Sequence, residues 1–132
     1  MQPDGAITVF ICDDSKPARM MLTRFLNEAP FDVQIVGESA TAQGAIFMME
    51  EETPHIFILK LDIPGDTPTL EVVKSVKALD PNCFVVLCSL PQDRASLKSA
   101  VDSGSVDDFL EKPIKRAAVD RAISKFLSTM PL

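Results

Sequence analysis

The residues of this sequence whose types could do chemistry follow apolar runs at four separate places. They carry carboxylate, hydroxyl or ammonium groups, which pair charges and exchange hydrogen bonds. Each group is weak evidence alone: adjacent acids are often a solvated turn, Asp14 or Ser15 could cap a following helix, and Lys-Pro is commonly a loop. The residues concerned are Asp13, Asp14 and Ser15, then Lys60, Leu61 and Asp62, then Ser89, and finally Lys112.

Two hydrophobic periodicities alternate along the chain and predict the elements that position these residues. Continuous apolar runs predict strands at Ile7 to Cys12, Val33 to Val36, Ile56 to Leu61, Cys83 to Ser89 and Phe109-Leu110. Helical spacing predicts helices at Lys16 to Asn27, at Thr41 to Glu52, after a turn at Asp62 to Pro68, at Gln92 to Ser103 and at Lys115 to Ser128. Strands alternating with helices in this way indicate an α/β fold with an open, doubly wound parallel sheet.

The same spacing suggests which side of each helix is apolar. The residues that carry the pattern are Met20, Met21, Phe25 and Leu26 in the first helix, Ala42, Ala45, Ile46 and Met49 in the second, Leu70, Val73, Val76 and Leu79 in the third, and Val119, Ala122, Ile123, Phe126 and Leu127 in the last. In doubly wound sheets the loops at the carboxyl ends of the strands meet near the switch in strand order. We therefore expect the four polar loops to converge on one spot.

Composition bounds the remaining possibilities. With 132 residues, 46% of them hydrophobic, the chain fits a single globular domain over residues 1–132. A net charge of −6 argues against broad binding to a nucleic acid backbone. No stretch approaches the roughly 18 apolar residues of a membrane helix, and Met1 to Ala6 has no leader character, so we expect a cytoplasmic protein with no membrane partner.

Cysteine and histidine usage excludes several kinds of site. Cys12, Cys83 and Cys88 form no CxxC pair and lie in apolar runs, which favours buried core thiols over a redox switch. Since His55 is the only histidine, His-rich metal sites are excluded. A Ser/His/Asp triad would also need a nucleophile elbow, and no GxSxG occurs.

The motifs together resemble the receiver domain of bacterial two-component response regulators, the CheY-like family, over nearly the whole chain. The resemblance rests on CDDS (Cys12 to Ser15), GES (Gly37 to Ser39), PHIFILKLDIPG (Pro54 to Gly65), VVLCS (Val85 to Ser89) and FLEKP (Phe109 to Pro113). It implies strand order 2-1-3-4-5 and a role in phosphorelay signalling. It also implies a Mg²⁺ site at Asp13 and Asp14, phosphoryl contacts from Ser89 and Lys112, and an aromatic switch residue at Phe109.

One departure from the family pattern outweighs the matches. The family places its phosphoacceptor aspartate four residues before the proline of the following turn, which here is Lys60 before Pro64. A lysine ammonium is a donor and cannot form an acyl phosphate. The site would be neutral, since two acids meet two lysines, Lys60 and Lys112. We therefore predict an ion pair between Lys60 and the acid pair, and weak or absent Mg²⁺ binding, so that no cofactor is expected; the alternative is a Lys60 that points into water.

The resemblance then implies a stand-alone atypical receiver, not an enzyme, that acts by protein contacts without phosphorylation. Receivers usually present the fourth helix, fifth strand and fifth helix to a histidine kinase, an output protein or a second copy. Here that face would include Phe109, Ile114, Lys115, Arg116 and exposed residues of Gln92 to Ser103. From Gly104 to Lys112 the loop is one residue longer than the family pattern.

Other functions fit the residues less well. A phosphorelay regulator could accept phosphoryl groups at a displaced acid such as Asp62, which alternation would place on the same side of a strand as Lys60 but one pleat farther from Ser89 and Lys112. A haloacid-dehalogenase-type phosphatase needs Asp-x-Asp, whereas these acids are adjacent. An FMN carrier lacks a phosphate loop and any Trp or Tyr. Spaced basic residues in the last helix are more typical of a solvated face than of nucleic acid binding; they are Lys115, Arg116, Arg121 and Lys125.

Overall fold

The fold is a five-stranded parallel sheet in the order β2-β1-β3-β4-β5, as predicted. The computed structural model describes residues 5–65 and 67–130, so parts of the Met1 to Ala6 segment and of the Asp62 to Pro68 turn lie outside the described residues. The strands are β1(Ile7–Cys12), β2(Val33–Ser39), β3(Ile56–Lys60), β4(Phe84–Ser89) and β5(Asp108–Glu111). The helices are α1(Lys16–Glu28), α2(Ala42–Met49), α3(Thr69–Leu79), α4(Arg94–Asp102) and α5(Arg116–Ser128).

Two apolar cores lie on opposite faces of the sheet. Leu22 and Leu26 of α1 pack with α5 on one face, and buried residues of α2, α3 and α4 pack on the other. The three central strands are buried almost throughout, which explains their continuous apolar runs. No helix in the described part of the chain is long and apolar enough to cross a membrane.

The inward faces of two helices differ from the sequence pattern. In α3, Leu70 and Leu79 are exposed and Val72 is buried in their place. In α1, Met20 is 62% exposed and Leu22 lies in the core. In α3, the apolar residues at i, i+3 spacing are compatible with more than one rotation of the helix about its axis. Packing against the sheet selects the rotation that buries the valines.

Side-chain caps set the beginnings of two helices. The Ser15 hydroxyl accepts a hydrogen bond from the Ala18 N–H at 3.3 Å and begins α1. Thr41 caps α2 in the same way through the Gly44 N–H at 3.1 Å. The helix predicted from Gln92 to Ser103 is divided, because a 3₁₀ turn over Pro91–Asp93 precedes α4. Proline, which has no N–H to donate, begins that turn.

The only histidine of the sequence, His55, makes structural contacts with β1. The backbone N–H of Thr8 donates to Nδ1 of His55 at 2.9 Å, and the His55 N–H donates to the Thr8 hydroxyl oxygen at 2.9 Å. Its ring packs on Phe126 with centroids 5.8 Å apart. His55 immediately precedes β3, at the end of the sheet opposite the four polar loops. Its polar contacts are therefore those of a residue that ties β1 to β3.

Candidate functional site

The first acid of the adjacent pair, Asp13, is buried at the carboxyl end of β1. Its side chain is 2% exposed. Oδ1 accepts a hydrogen bond from the Ser15 N–H at 2.9 Å, and Oδ2 lies 3.3 Å from Nζ of Lys112. The Asp13 N–H donates to the carbonyl of Ser39 at 3.0 Å. The carboxylate is therefore held by one backbone donor and one ammonium group.

The second acid, Asp14, faces a different lysine. Its Oδ1 accepts a hydrogen bond from Nζ of Lys60 at 2.7 Å. The Lys60 side chain is 30% exposed and that of Asp14 is 36% exposed, so the pair lies at the rim of the site. Lys60 is the last residue of β3, and β3 is hydrogen-bonded to β1. This strand pairing places the ammonium group beside the acid pair instead of in open water.

The Lys60–Asp14 hydrogen bond stabilises the charged form of both partners. It lowers the pKa of Asp14 from 3.8, because the ammonium donor favours the carboxylate. It raises the pKa of Lys60 from 10.5, chiefly through the same hydrogen bond, with Coulombic help from Asp14, Asp13 and Asp62. Both groups are therefore charged across the neutral pH range.

The other lysine, Lys112, connects the carboxyl ends of two strands, β4 and β1. Its N–H donates to the Ser89 carbonyl at 2.7 Å while its Nζ reaches Asp13. The Lys112–Pro113 peptide bond is cis. The side chain of Lys112 is 23% exposed. The two lysines and two acids thus form two separate pairs, Lys60 with Asp14 and Lys112 with Asp13.

The hydroxyl of Ser89 is engaged by a residue that the sequence did not single out. Ser89 is 7% exposed, and its Oγ donates a hydrogen bond to the carboxylate of Asp93. Asp93 stands at the beginning of α4 but makes no side-chain cap there. An aspartate one turn beyond a strand-end serine is typical of an N-cap, so this contact could not be predicted from the sequence pattern.

Arg19 is a second residue that sequence reasoning missed. Its Nη1 donates to the Asp13 carbonyl at 2.7 Å, and its Nε lies 2.9 Å from Oε1 of Glu38. With a side chain 15% exposed, Arg19 links the ends of β1 and β2. A basic residue one turn into α1 was the only available signal.

Asp62, the alternative acceptor, does not continue the strand. β3 ends at Lys60, and Asp62 is an exposed turn residue with φ 57°, in the left-handed region. Its N–H donates to the Thr69 hydroxyl oxygen at 2.9 Å. The expectation that strand alternation sets its direction was therefore wrong. Asp62 lines a cavity of about 300 Å³ together with Lys60, Ser89, Asp93 and Lys112.

The face formed by α4, β5 and α5 also departs in part from the prediction. Phe109 is half-buried and Lys115 is exposed, and both line a groove of about 860 Å³. Ile114, however, is 4% exposed and belongs to the core. Arg116 contacts α1: its guanidinium group pairs with Glu28, and its Cζ lies 5.7 Å from the ring centre of Phe25. Those two residues do not belong to this face.

The three cysteines are buried, as predicted. Burial raises the pKa of the Cys12, Cys83 and Cys88 thiols to about 12. They are therefore protonated at neutral pH.

Comparison with known proteins gives one consistent family. A family model described as "Response regulator receiver domain" matches residues 9–124. The chemotaxis protein CheY of Thermotoga maritima is 28% identical over 117 residues, which cover 89% of this chain and 94% of that protein. A protein-glutamate methylesterase/protein-glutamine glutaminase of Saccharophagus degradans is 29% identical over 121 residues, which cover 91% of this chain but 32% of that protein.

The fold has solved counterparts. The isolated REC domain of RcsB from Salmonella enterica serovar Typhimurium, in the presence of phosphomimetic BeF₃⁻, superposes with a TM-score of 0.83. The alignment covers 97% of this chain and 93% of that one, at 18% identity. The receiver domain of NtrX from Brucella abortus gives a TM-score of 0.79 at 21% identity, over 92% of this chain and 99% of that one. At such identities the likeness concerns the fold.

Proposed function

The chain belongs to the response regulator receiver family, as its motifs predicted, and we propose that it is a receiver that signals without phosphorylation by binding another protein. Lys60 takes the position of the phosphoacceptor aspartate. Because an ammonium group cannot attack a phosphoryl group, the transfer step that defines the family is absent. Receiver domains in general carry signals and are not enzymes in their own right.

The observation that carries this proposal is the 2.7 Å contact between Lys60 and Asp14. A lysine at the end of β3 that extended into solvent would have left both carboxylates of the acid pair free to bind a cation. Instead its ammonium group occupies one of the two carboxylates, while Lys112 occupies the other. Each lysine is thus paired with a carboxylate, and neither is left free to balance the negative charge of a phosphoryl group.

The donor set does not fit the Mg²⁺ ion that the family implies. Mg²⁺ needs several oxygen ligands in octahedral geometry and usually binds one or two carboxylates plus water. Here each carboxylate already contacts an ammonium group, at 2.7 Å and 3.3 Å. A divalent cation would have to displace Lys60 and then sit beside its positive charge. We therefore propose that Lys60 takes over the charge-balancing role of the ion.

The position of Ser89 is consistent with one fixed state. Its hydroxyl, which in the family contacts a phosphoryl oxygen, donates to Asp93. Without a phosphoryl group to compete for it, this hydrogen bond persists. A single arrangement of the loop after β4 then follows, and with it a constant surface for partners.

We place the partner on the face formed by α4, β5 and α5. The groove along this face is lined by Phe109, Pro113, Ala117 and Arg121 among others. Ion pairs brace its walls: Arg94 of α4 contacts Glu111 of β5 at 2.6 Å, and Lys125 of α5 lies 3.9 Å from Asp108. A braced groove with a half-buried aromatic side chain suits a protein ligand.

Treatment with a small acyl phosphate and Mg²⁺, followed by intact-mass spectrometry, tests this proposal. The parent chain should gain no phosphoryl group, whereas Lys60→Asp should gain one. Phosphorylation of the parent chain would refute the proposal. Loss of that label in Asp62→Asn would identify the displaced acceptor.

A further inference from the structure

The second helix is unusual for a helix with an exposed face. Ala42–Met49 reads AQGAIFMM and contains no charged residue. Its inner side packs into the core through Ala42, Ala45 and Met49. Its one polar side chain, Gln43, is exposed, and the other side chains are apolar. A helix this apolar is normally covered on more than one side. Nothing in the described part of the chain covers the outer side of α2.

The uncovered side of α2 presents two large apolar residues. Phe47 is 75% exposed and Met48 is 46% exposed. The terminal methyl of Met48 lies over Gly37 of β2, where a Cβ would come within 3.2 Å of it. The apolar surface therefore continues from α2 to β2, which is an edge strand of the sheet. Neighbouring exposed apolar side chains of this size mark an interaction surface more often than single ones do.

Three acids follow directly along the chain. Glu50, Glu51 and Glu52 are exposed, and none forms an ion pair within residues 5–65 and 67–130. They stand at the C-terminal end of α2, where the helix dipole disfavours negative charge, and the last turn has no basic residue. A cation supplied by another molecule would offset the unfavourable interaction of these carboxylates with the helix dipole and would supply the basic group that the last turn lacks.

We propose that this α2 patch, formed by Phe47, Met48, Glu50, Glu51 and Glu52, is a docking surface for a basic amphipathic segment of a partner protein. The apolar side of such a segment covers Phe47 and Met48, and its lysines or arginines meet the three carboxylates. A second copy of this chain fits poorly, because the same patch would bring six carboxylates together.

This surface is distinct from the partner face proposed above. The strand order puts β2 and β5 at opposite edges of the sheet, so α2 lies away from the groove beside β5. Both surfaces can be occupied at once, and the chain then bridges two proteins. The inference does not depend on the state of Lys60.

An NMR titration of the ¹⁵N-labelled full chain tests the α2 patch. The probe is a leucine–lysine peptide of about 15 residues with amphipathic helical spacing, long enough to fold on binding. A leucine–glutamate peptide of the same pattern is its matched control. Shifts are expected in and around residues 42–52 with the lysine peptide alone.

Variants separate this surface from general attraction to an acidic chain. Phe47→Ser with Met48→Gln should weaken peptide binding about tenfold or more, the loss expected for removing central apolar contacts. Glu51→Gln with Glu52→Gln should weaken it and reduce its salt dependence. Met20→Gln, which alters a methionine on α1 that is more exposed than Met48, should change nothing.

Three results would overturn the inference. In the first, the peptide shifts lie elsewhere. In the second, the Phe47→Ser, Met48→Gln variant and the Met20→Gln variant bind the peptide equally well. In the third, sedimentation equilibrium shows a dimer of the parent chain that the Phe47→Ser, Met48→Gln variant abolishes, which would make a second copy the occupant.

Discussion

Nζ of Lys60 lies 2.7 Å from Oδ1 of Asp14, so the end of β3 is tied to the end of β1 by opposite charges. In a receiver that accepts phosphoryl groups, this space lies between like charges that a cation must hold together. On the function proposed above, Lys60 stands where such a receiver has its acceptor aspartate, and the ion pair with Asp14 takes the place of that cation.

The two lysines of the site should differ in their effect on stability. Lys60→Met should lower the free energy of unfolding by at most about 1 kcal/mol, because exposed ion pairs contribute little. Lys112→Met should lower it by about 3 kcal/mol, because it leaves the carboxylate of Asp13, which is 2% exposed, without its cation. Urea unfolding measures both. Equal losses would contradict the two-pair description.

The Lys60–Asp14 pair should make stability depend on pH in a defined way. The pKa of Asp14 is lowered from 3.8, so its contribution is present above that pH and is lost as pH falls through the lower folded value. The pKa of Lys60 is raised from 10.5, so its contribution is present below that pH and is lost as pH rises through the higher folded value.

The difference in unfolding free energy between the parent chain and Lys60→Met should therefore be constant from about pH 5 to pH 9. It should shrink toward zero in stronger acid. Asp14→Asn serves as the matched variant, in which Lys60→Met should have almost no further effect. A difference that changes near neutral pH would point to another partner for Lys60.

The cysteines should be unreactive in the folded chain. Burial raises the pKa of all three thiols to about 12, and the thiolate is the reactive form. Iodoacetamide at pH 8 should modify none of them under native conditions and all three in denaturant, as read by intact mass. Rapid native labelling of Cys12, which lies next to the site, would show that the end of β1 opens readily.

Asp93 should hold Ser89 through its ability to accept a hydrogen bond. Asp93→Ala should lower the free energy of unfolding by about 1 kcal/mol and shift the amide signals of Ser89 and Leu90. Asp93→Asn keeps an acceptor oxygen and should have a smaller effect on both. If the alanine and asparagine variants behave alike, the Ser89 contact contributes nothing.

The doubly wound parallel sheet and the convergence of four loops could be predicted, because strand and helix periods differ and the carboxyl ends of parallel strands meet at one edge. The strand order was implied only by the resemblance to receiver domains. The pairing of Lys60 with an acid was also predictable, but which acid was not. Asp13 points inward, where the Ser15 N–H and Lys112 hold it, and this leaves Asp14 for Lys60. Such a choice depends on backbone geometry within three consecutive residues.

The contacts of Asp93 and Arg19 could not be predicted from the sequence for a related reason. Both residues are ordinary in type, and each has a simpler alternative: a helix cap for Asp93 and solvent for Arg19. Tertiary packing selected the other option in each case. The same applies to α3, where Val72 competed with Leu70 for the core and only the fit against the sheet decided.

The most direct test of the central claim is an amide NMR titration with Mg²⁺ and then beryllofluoride, on the parent chain and on Lys60→Asp. The account predicts that the parent shows no response at Asp13, Ser89 and Lys112, while Lys60→Asp responds to both reagents. Lys98→Asp, the same charge change at an exposed position of α4, should stay silent. Millimolar or tighter Mg²⁺ binding by the parent, with shifts at those three residues, would contradict the account.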